Sequence, residues 1–154
     1  MMPRTKTVLF AALILGAVGL IGVISWGLHQ RYVPSEAVEI SRQFISLIES
    51  GNLRKAYALT TQDDLSGSTF EAFEIKARNR VDQVVFAAHP PIQWAGERGG
   101  FQTYGNRLRR WLAGRKLDPD LLNLEFTVGA PFEVRLVSVG EGKWKIRYFQ
   151  TRAA

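Results

Sequence analysis

Few residues in this sequence could carry acid–base or metal chemistry, and they are scattered. There are two histidines, His29 and His89, and no cysteine. His89 precedes two prolines and could act as a base, but no carboxylate or nucleophile stands at a recognisable offset from it. His29 falls at the end of an apolar run, and two histidines without a thiolate argue against a zinc site. We therefore predict no catalytic residue, no metal and no cofactor.

Other polar residues allow a chemical and a structural interpretation. Asp63 and Asp64 are paired carboxylates, but adjacent acids before a helix usually cap turns. Tyr57 and Tyr148 could place hydroxyl groups inside a cavity. Such tyrosines are more often core residues with one satisfied hydrogen bond. We favour the structural interpretation for all four.

A concentrated basic segment is the strongest candidate for binding. Residues 97 to 116 contain one acid, Glu97, and have a net charge of +5, compared with +6 for the whole chain. Leu108, Trp111 and Leu112 interleave with the charges, which predicts a basic amphipathic helix over residues 106 to 115. The cations of the segment are Arg98, Arg107, Arg109, Arg110, Arg115 and Lys116.

Several partners would suit this segment. Anionic lipid headgroups attract basic residues, each adding about 1 kcal/mol near the surface, and an acidic face of a membrane protein would gain steering and register. Nucleic acid is a third possible partner, but an exported location argues against it. Alternatively, the charges form a solvated face whose apolar side packs into the domain. Trp94, Phe101 and Tyr104 nearby predict a lid on the core or a further part of the contact patch.

Residues 8 to 28 form a charge-free run of 21 residues. As a helix the run would reach about 31 Å, which matches the hydrocarbon thickness of a membrane. A cleaved signal peptide is the rival interpretation, but its apolar core usually spans about 7 to 15 residues. We therefore predict an uncleaved signal anchor. The small residues Ala12, Gly16, Gly19 and Gly22 could let it pack against other membrane helices.

The flanking charges predict the orientation of this helix. Arg4 and Lys6 precede it without an acid, whereas Arg31 is the one cation directly after it. The positive-inside rule then places residues 1 to 7 in the cytoplasm and everything after the linker, residues 29 to 34, outside it. Residues 35 to 154 are predicted to form one exported domain.

The first half of that domain has helical periodicity. We predict helices over residues 36 to 50, 53 to 60 and 69 to 81. Ser35 is the predicted N-cap of the first, and Gly51 ends it. Ser68 and Glu71 have capping-box spacing at the start of the third. The predicted buried residues are Ala37, Ile40, Phe44, Leu47, Ile48, Phe70, Phe73 and Ala77.

The end of the chain alternates with a period of two. This predicts three half-buried antiparallel strands near residues 122 to 128, 132 to 136 and 143 to 148. A three-residue loop, 140 to 142, would pair Leu136 with Ile146 and Val134 with Tyr148.

The same register would set Arg135 opposite Arg147, with Lys145 nearby. Because facing like charges destabilise a sheet, we expect Glu125 or Glu133, or else an acidic partner, to neutralise them. Residues 82 to 119 are less readable. Residues 84 to 86 could be a strand and residues 96 to 100 a loop.

This order of elements resembles the nuclear transport factor 2-like superfamily, also called ketosteroid-isomerase-like. The resemblance covers residues 35 to 81 and 120 to 150. It rests on Phe44 followed by Ser50-Gly51-Asn52 and Ala56-Tyr57-Ala58-Leu59, on Phe70-Glu71-Ala72-Phe73, and on Gly142-Lys143-Trp144-Lys145-Ile146. It implies an α+β domain in which helices cover a curved antiparallel sheet and leave a cone. It carries over no catalytic residue.

The leading functional prediction is a non-catalytic binding or assembly module, an accessory subunit of a bacterial inner-membrane complex with its main domain in the periplasm. Residues 94 to 116 and the outer sheet face, Arg135, Lys145 and Arg147, would form the partner surface. The alternative, which follows from the resemblance, is a cone that binds or transforms a small apolar molecule. A homodimer joined by its sheets is also compatible with the sequence.

Overall fold

The computed structural model describes residues 4–81, 93–97 and 102–151 and has α+β architecture, as predicted. The chain divides into two units. The N-terminal unit contains Met1–Tyr32 and Gln102–Leu117, and the sheet unit contains Val33–Phe101 and Asp118–Ala154. Residues 102 to 117, which the sequence suggested were part of the exported domain, are thus grouped with the N-terminal helix.

The N-terminal unit is built on α1, Arg4–His29. The segment Val8–His29 is long and apolar enough to cross a membrane, with a mean hydropathy of 2.6, and it is not buried within the protein. This length and composition are compatible with a membrane anchor or a signal sequence. The short strand β1, Arg31–Tyr32, follows and pairs antiparallel with β3, Gln102–Thr103. Helix α5, Tyr104–Leu112, begins directly after β3.

The sheet unit combines three helices with an antiparallel sheet. The helices are α2, Ser35–Glu49, α3, Leu53–Ala58, and α4, Phe70–Arg80. The three long strands are β4, Leu121–Val128, β5, Ala130–Gly140, and β6, Lys143–Thr151. The shorter β2, Gln93–Glu97, pairs with β4, so that the strand order is β2-β4-β5-β6.

Aromatic side chains fill the space between the helices and the sheet. Phe44 of α2, Phe73 of α4 and Phe149 of β6 are at most 1% exposed. The ring centroid of Phe149 lies 5.1 Å from that of Phe44 and 5.6 Å from that of Phe73. Tyr57 closes the cluster, with its ring 5.4 Å from Phe73. Helices and sheet are therefore in direct contact at these rings.

The sequence located the helices correctly but misplaced two of their caps. The N-cap of α2 is Pro34, and Ser35 is already its first helical residue. The N-cap of α4 is Thr69, whose side chain accepts a hydrogen bond from the Ala72 N–H, so the predicted capping box of Ser68 and Glu71 is wrong. Ser68 and Thr69 are two adjacent N-cap candidates between which spacing alone does not select, whereas Pro34 has no side chain that could cap and gives no such signal.

The end of α2 follows the prediction. Gly51 has a φ of +72°, and its N–H donates to the Ile48 carbonyl at 3.0 Å. The Asn52 N–H donates to the Leu47 carbonyl at 2.8 Å. This pair of bonds satisfies the last carbonyl groups of the helix. Of the predicted apolar face, Ala37, Phe44 and Ile48 are buried, while Ile40 and Leu47 are partly buried.

The β5–β6 register is partly as predicted. Leu136 pairs with Ile146, but Val134 pairs with Phe149 rather than Tyr148, and Arg135 faces Tyr148 rather than Arg147. A bulge between Arg135 and Leu136 and another between Ser138 and Gly140 shift the pairing. The loop has two residues, since Gly140 pairs with Lys143. An extra residue in one strand moves every later partner by one, which alternation alone does not reveal.

The central stretch holds one further difference. Residues 96 and 97, predicted as loop, belong to β2, which pairs with β4 across a bulge between Trp94 and Gly96. Pairing with a distant strand overrides the local turn signal of glycine. The predicted strand at residues 84 to 86 and His89 lie outside the described residues.

Candidate functional site

The predicted partner surface is distributed over both units. Arg107, Arg109, Arg110 and Trp111 lie on α5, and Arg115 and Lys116 follow it, all within the N-terminal unit. Arg135, Lys145 and Arg147 belong to β5 and β6 of the sheet unit. Trp94 is part of β2, and Arg98 lies outside the described residues. The basic helix and the sheet cations are therefore two separate candidates.

Helix α5 is defined by clear signals at both ends. The Thr103 hydroxyl caps its start by accepting a hydrogen bond from the Asn106 N–H at 3.1 Å. Gly114 has a φ of +62°, and its N–H donates to the Trp111 carbonyl at 3.0 Å. The Arg115 N–H reaches the Arg110 carbonyl at 2.8 Å. The predicted basic helix is thus confirmed, but it spans Tyr104–Leu112 and so begins two residues earlier and ends three residues earlier than the predicted range of 106 to 115.

The start of α5 is held against the end of α1. The Tyr104 N–H donates to the Gln30 carbonyl at 3.1 Å. A Cβ atom placed on Gly105 would lie 3.0 Å from the carbonyl oxygen of Leu28, so glycine permits the close approach of the two helices. Together with the β1–β3 pairing, these contacts place the first turn of α5 where the charge-free run ends.

Arg107 and two tyrosines strengthen this junction. The Arg107 guanidinium lies 3.7 Å from the centroid of the Tyr32 ring, within the range of a cation–π interaction, and it donates to the Leu117 carbonyl at 3.3 Å. The rings of Tyr32 and Tyr104 meet edge-on at 5.4 Å. Arg107 therefore positions α5. Sequence reasoning missed Tyr32 in this role, because the pairing of residues 31–32 with residues 102–103 has no local signal.

The apolar side of α5 is exposed. Tyr104, Leu108, Trp111 and Leu112 are 50%, 43%, 64% and 71% exposed. Their spacing places them on one face of the helix. Within the N-terminal unit, this side of the helix is therefore not covered by other described residues. Exposed apolar side chains clustered on one face are typical of a surface that binds something.

The charges around this apolar face are all of one sign. Residues 102 to 117 contain five cations and no acid. Arg109 flanks the apolar face, and Arg110 lies on the opposite side of the helix, where its Nε donates to the Lys116 carbonyl at 2.5 Å. Arg115 follows the helix and is exposed. The segment thus presents an apolar stripe bordered by positive charge.

The sheet cations have polar partners within the sheet unit. Arg135 Nε lies 3.0 Å from Oε1 of Glu133, and Arg147 Nε lies 3.0 Å from Oδ2 of Asp63. Lys145 Nζ donates to the Ala58 carbonyl at 3.2 Å. Glu133 is buried and also accepts a hydrogen bond from the Asn123 amide at 2.8 Å. The predicted intramolecular neutralisation by Glu133 is confirmed for Arg135.

Asp63 organises the turn between α3 and α4. Its Oδ1 accepts hydrogen bonds from the N–H groups of Leu65 and Ser66, both at 3.0 Å. Burial raises the pKa of the Asp63 carboxyl, but hydrogen bonds from Ser66, Thr61 and Leu65 outweigh it and hold the pKa below its ordinary value of 3.8. Asp63 is therefore a structural carboxylate, as the sequence favoured.

The pKa of Asp63 predicts a pH dependence. A carboxyl group whose pKa is lowered by folding stabilises the fold above its ordinary pKa of 3.8, and this contribution is lost as the pH falls through the folded value. The midpoint of urea unfolding should therefore be higher for the wild type than for Asp63→Asn at neutral pH. Below pH 3.8 the midpoints of the two proteins should converge. Asp64→Asn, at the exposed neighbouring residue, is the matched control for the loss of one negative charge. A constant gap between wild type and Asp63→Asn would contradict the prediction.

The remaining candidates have structural surroundings. The Tyr57 hydroxyl donates to the Ser68 carbonyl at 3.1 Å, and the Tyr148 hydroxyl donates to Oε1 of Gln150 at 2.6 Å. His29 Nδ1 lies 2.7 Å from the Ser25 carbonyl, one helical turn earlier. A side chain added at Gly16, Gly19 or Gly22 of α1 would meet nothing within 4 Å, so this side of the helix is open. Within residues 4–81, 93–97 and 102–151, no three His, Cys, Asp or Glu side chains are grouped to hold a metal ion.

Comparison of the chain with protein-family models, with curated proteins and with solved structures found no match.

Proposed function

We propose that this chain is a single-pass membrane protein that acts as a non-catalytic binding or assembly module, an accessory subunit of a bacterial inner-membrane complex. Helix α1 is an uncleaved anchor with its N-terminus in the cytoplasm, and the sheet unit is periplasmic. The observation that carries the proposal is the exposed apolar and basic surface of α5 at the end of α1. Hereafter the contact surface denotes residues 104 to 116.

The junction of α1 and α5 supports retention of the anchor. Gly105 rests against Leu28, so α5 takes part of its position from a residue that a signal peptidase cleaving after the apolar run would remove. The intact mass of the protein purified from membranes checks this point. The mass of the full chain is expected, and loss of the first 25 to 30 residues would contradict the anchor.

The chemistry of the sheet unit supports a role in binding rather than catalysis. Its notable polar groups are engaged in structure: Asp63 in a turn, Glu133 with Arg135, and Tyr57 with a backbone carbonyl. Helices α2 and α4 pack against β6 with Phe44, Phe73 and Phe149 between them. This arrangement of helices on an antiparallel sheet is compatible with a nuclear transport factor 2-like domain that serves as a scaffold.

Affinity purification in mild detergent tests the proposal. The full-length protein, isolated from its native membrane, should retain a defined set of membrane components that the double variant Arg109→Glu/Arg110→Glu loses. Arg107 is left intact because it holds Tyr32. The matched control is Arg42→Glu/Lys55→Glu, which changes the charge equally at two exposed residues of the sheet unit and should retain the components. Recovery of the wild type alone, or equal loss in both variants, would contradict the proposal.

A further inference from the structure

We propose that the contact surface binds the anionic lipid headgroups of the membrane in which α1 is anchored, with α5 lying in the interface and its apolar side chains inserted beside the acyl chains. This inference rests on the proposed function, because it requires α1 to remain in the membrane. It names the partner of the same surface.

The position of α5 on α1 carries the first step. The charge-free run ends at Leu28, and the first turn of α5 contacts Leu28 and Gln30. When α1 spans a membrane, these two residues lie at the boundary between hydrocarbon and headgroups. Helix α5 therefore begins at the depth where an interfacial helix lies, and the Schellman-type end at Gly114 limits it to nine residues.

The side chains of α5 carry the second step. Trp111 and Tyr104, both at least half exposed, are the residue types that concentrate at membrane interfaces. Leu108 and Leu112 share their face, so one side of the helix offers a continuous apolar stripe. In water this stripe stays exposed, whereas in the interface it is buried without any change of fold.

The charges carry the third step. An anionic headgroup layer is extended and of one sign, and the segment from residue 102 to residue 117 has five cations and no acid. Two of these cations, Arg107 on Tyr32 and Arg110 on the far side of the helix, already make contacts within the segment. Arg109 borders the apolar stripe, where a long side chain can reach headgroups while the stripe is inserted. A protein partner would have to be recruited to this place, whereas the lipid surface is always within reach of a helix attached to the anchor.

Spin labelling of the full-length protein tests the inference. The chain has no cysteine, so a single introduced cysteine is the one labelling site. Leu112→Cys places the label on the apolar stripe, and Asn106→Cys places it on the opposite side of the same helix as a matched control. The protein is reconstituted in bilayers of phosphatidylcholine with or without phosphatidylglycerol, and collisions of the label with oxygen and with a water-soluble nickel chelate are measured.

With phosphatidylglycerol, the label at residue 112 should lose accessibility to nickel and gain accessibility to oxygen, whereas the label at residue 106 should stay accessible to nickel. Arg109→Glu/Arg110→Glu should return the label at residue 112 to water. A label at residue 112 that is accessible to nickel in both bilayers would overturn the inference. Equal insertion in both bilayers would overturn the role of anionic headgroups.

The outcome is separable from that of the proposed function. If the label at residue 112 stays in water while the purification still yields partners that Arg109→Glu/Arg110→Glu loses, the lipid inference is wrong and the assembly function stands. If the label inserts with phosphatidylglycerol and the protein is recovered alone, the lipid inference stands and the assembly function is wrong.

Discussion

Replacing Phe149 by alanine is expected to lower the free energy of unfolding by about 3–5 kcal/mol. The Phe149 ring contacts the rings of Phe44 and Phe73 at centroid distances of 5.1 and 5.6 Å, and the residue is 1% exposed. Truncation removes buried apolar area and leaves a void that these rigid rings cannot refill. Urea unfolding of the full-length protein in detergent, followed by near-ultraviolet circular dichroism, measures the loss.

The control for this prediction is Ile75→Ala. Ile75 lies on α4, next to the aromatic cluster in sequence, but its side chain is 59% exposed. The change should cost no more than about 0.5 kcal/mol. The comparison also bears on the alternative of a cone that binds a small apolar molecule. If the space around Phe149 were an open cavity in solution, Phe149→Ala would lower the free energy of unfolding little more than Ile75→Ala does. That result would contradict a packed core at this position.

Gly67→Ala should be comparably damaging for a different reason. Gly67 has a φ of +117°, and a Cβ atom there would lie 2.5 Å from the backbone nitrogen of Phe73 and 2.6 Å from its Cα. Backbone strain and the steric clash each cost about 1–3 kcal/mol. Since the clashing atoms belong to the backbone of α4, they cannot move aside as a flexible side chain would. We expect a loss of at least about 3 kcal/mol in the same urea experiment.

Gly51→Ala separates the two contributions. Gly51 also has a positive φ, +72°, but a Cβ atom there would meet nothing within 4 Å. Backbone strain alone should cost about 1 kcal/mol. Equal losses for the two substitutions would mean that the turn before α4 relaxes and that the close approach of Gly67 to Phe73 does not constrain it.

The sequence predicted the elements whose signals are local. The apolar spacing on α2, the glycine at its end and the alternation in β4, β5 and β6 all depend on neighbours within a few residues, and all are present. The same locality explains the errors. The cap of α4 shifted by one residue because Ser68 and Thr69 are both good caps and the local sequence does not distinguish them.

The position of α5 required information that local patterns do not contain. Its amphipathic sequence was evident, but two environments for its apolar side were compatible with it. The choice depends on residues 31–32 pairing with residues 102–103 and on Gly105 meeting Leu28, contacts that join positions about seventy residues apart. The stacking of Arg107, a predicted partner-binding cation, on the Tyr32 ring is likewise a contact that no local pattern indicates.

The edge strand β6 is partly covered by the chain's own backbone, which affects how neighbouring copies of the protein can associate. The Ile146 N–H donates to the Leu59 carbonyl at 3.0 Å, and its carbonyl accepts from the Thr61 N–H at 2.9 Å, so residues 59 to 61 cover the middle of this edge strand. Copies tethered to one membrane share an orientation and diffuse in two dimensions, which raises the chance that exposed strand edges meet. An occupied edge cannot template the addition of a neighbour's strand. In copies anchored as proposed, the bridge at Ile146 therefore hinders the addition of a neighbour's strand to the middle of β6.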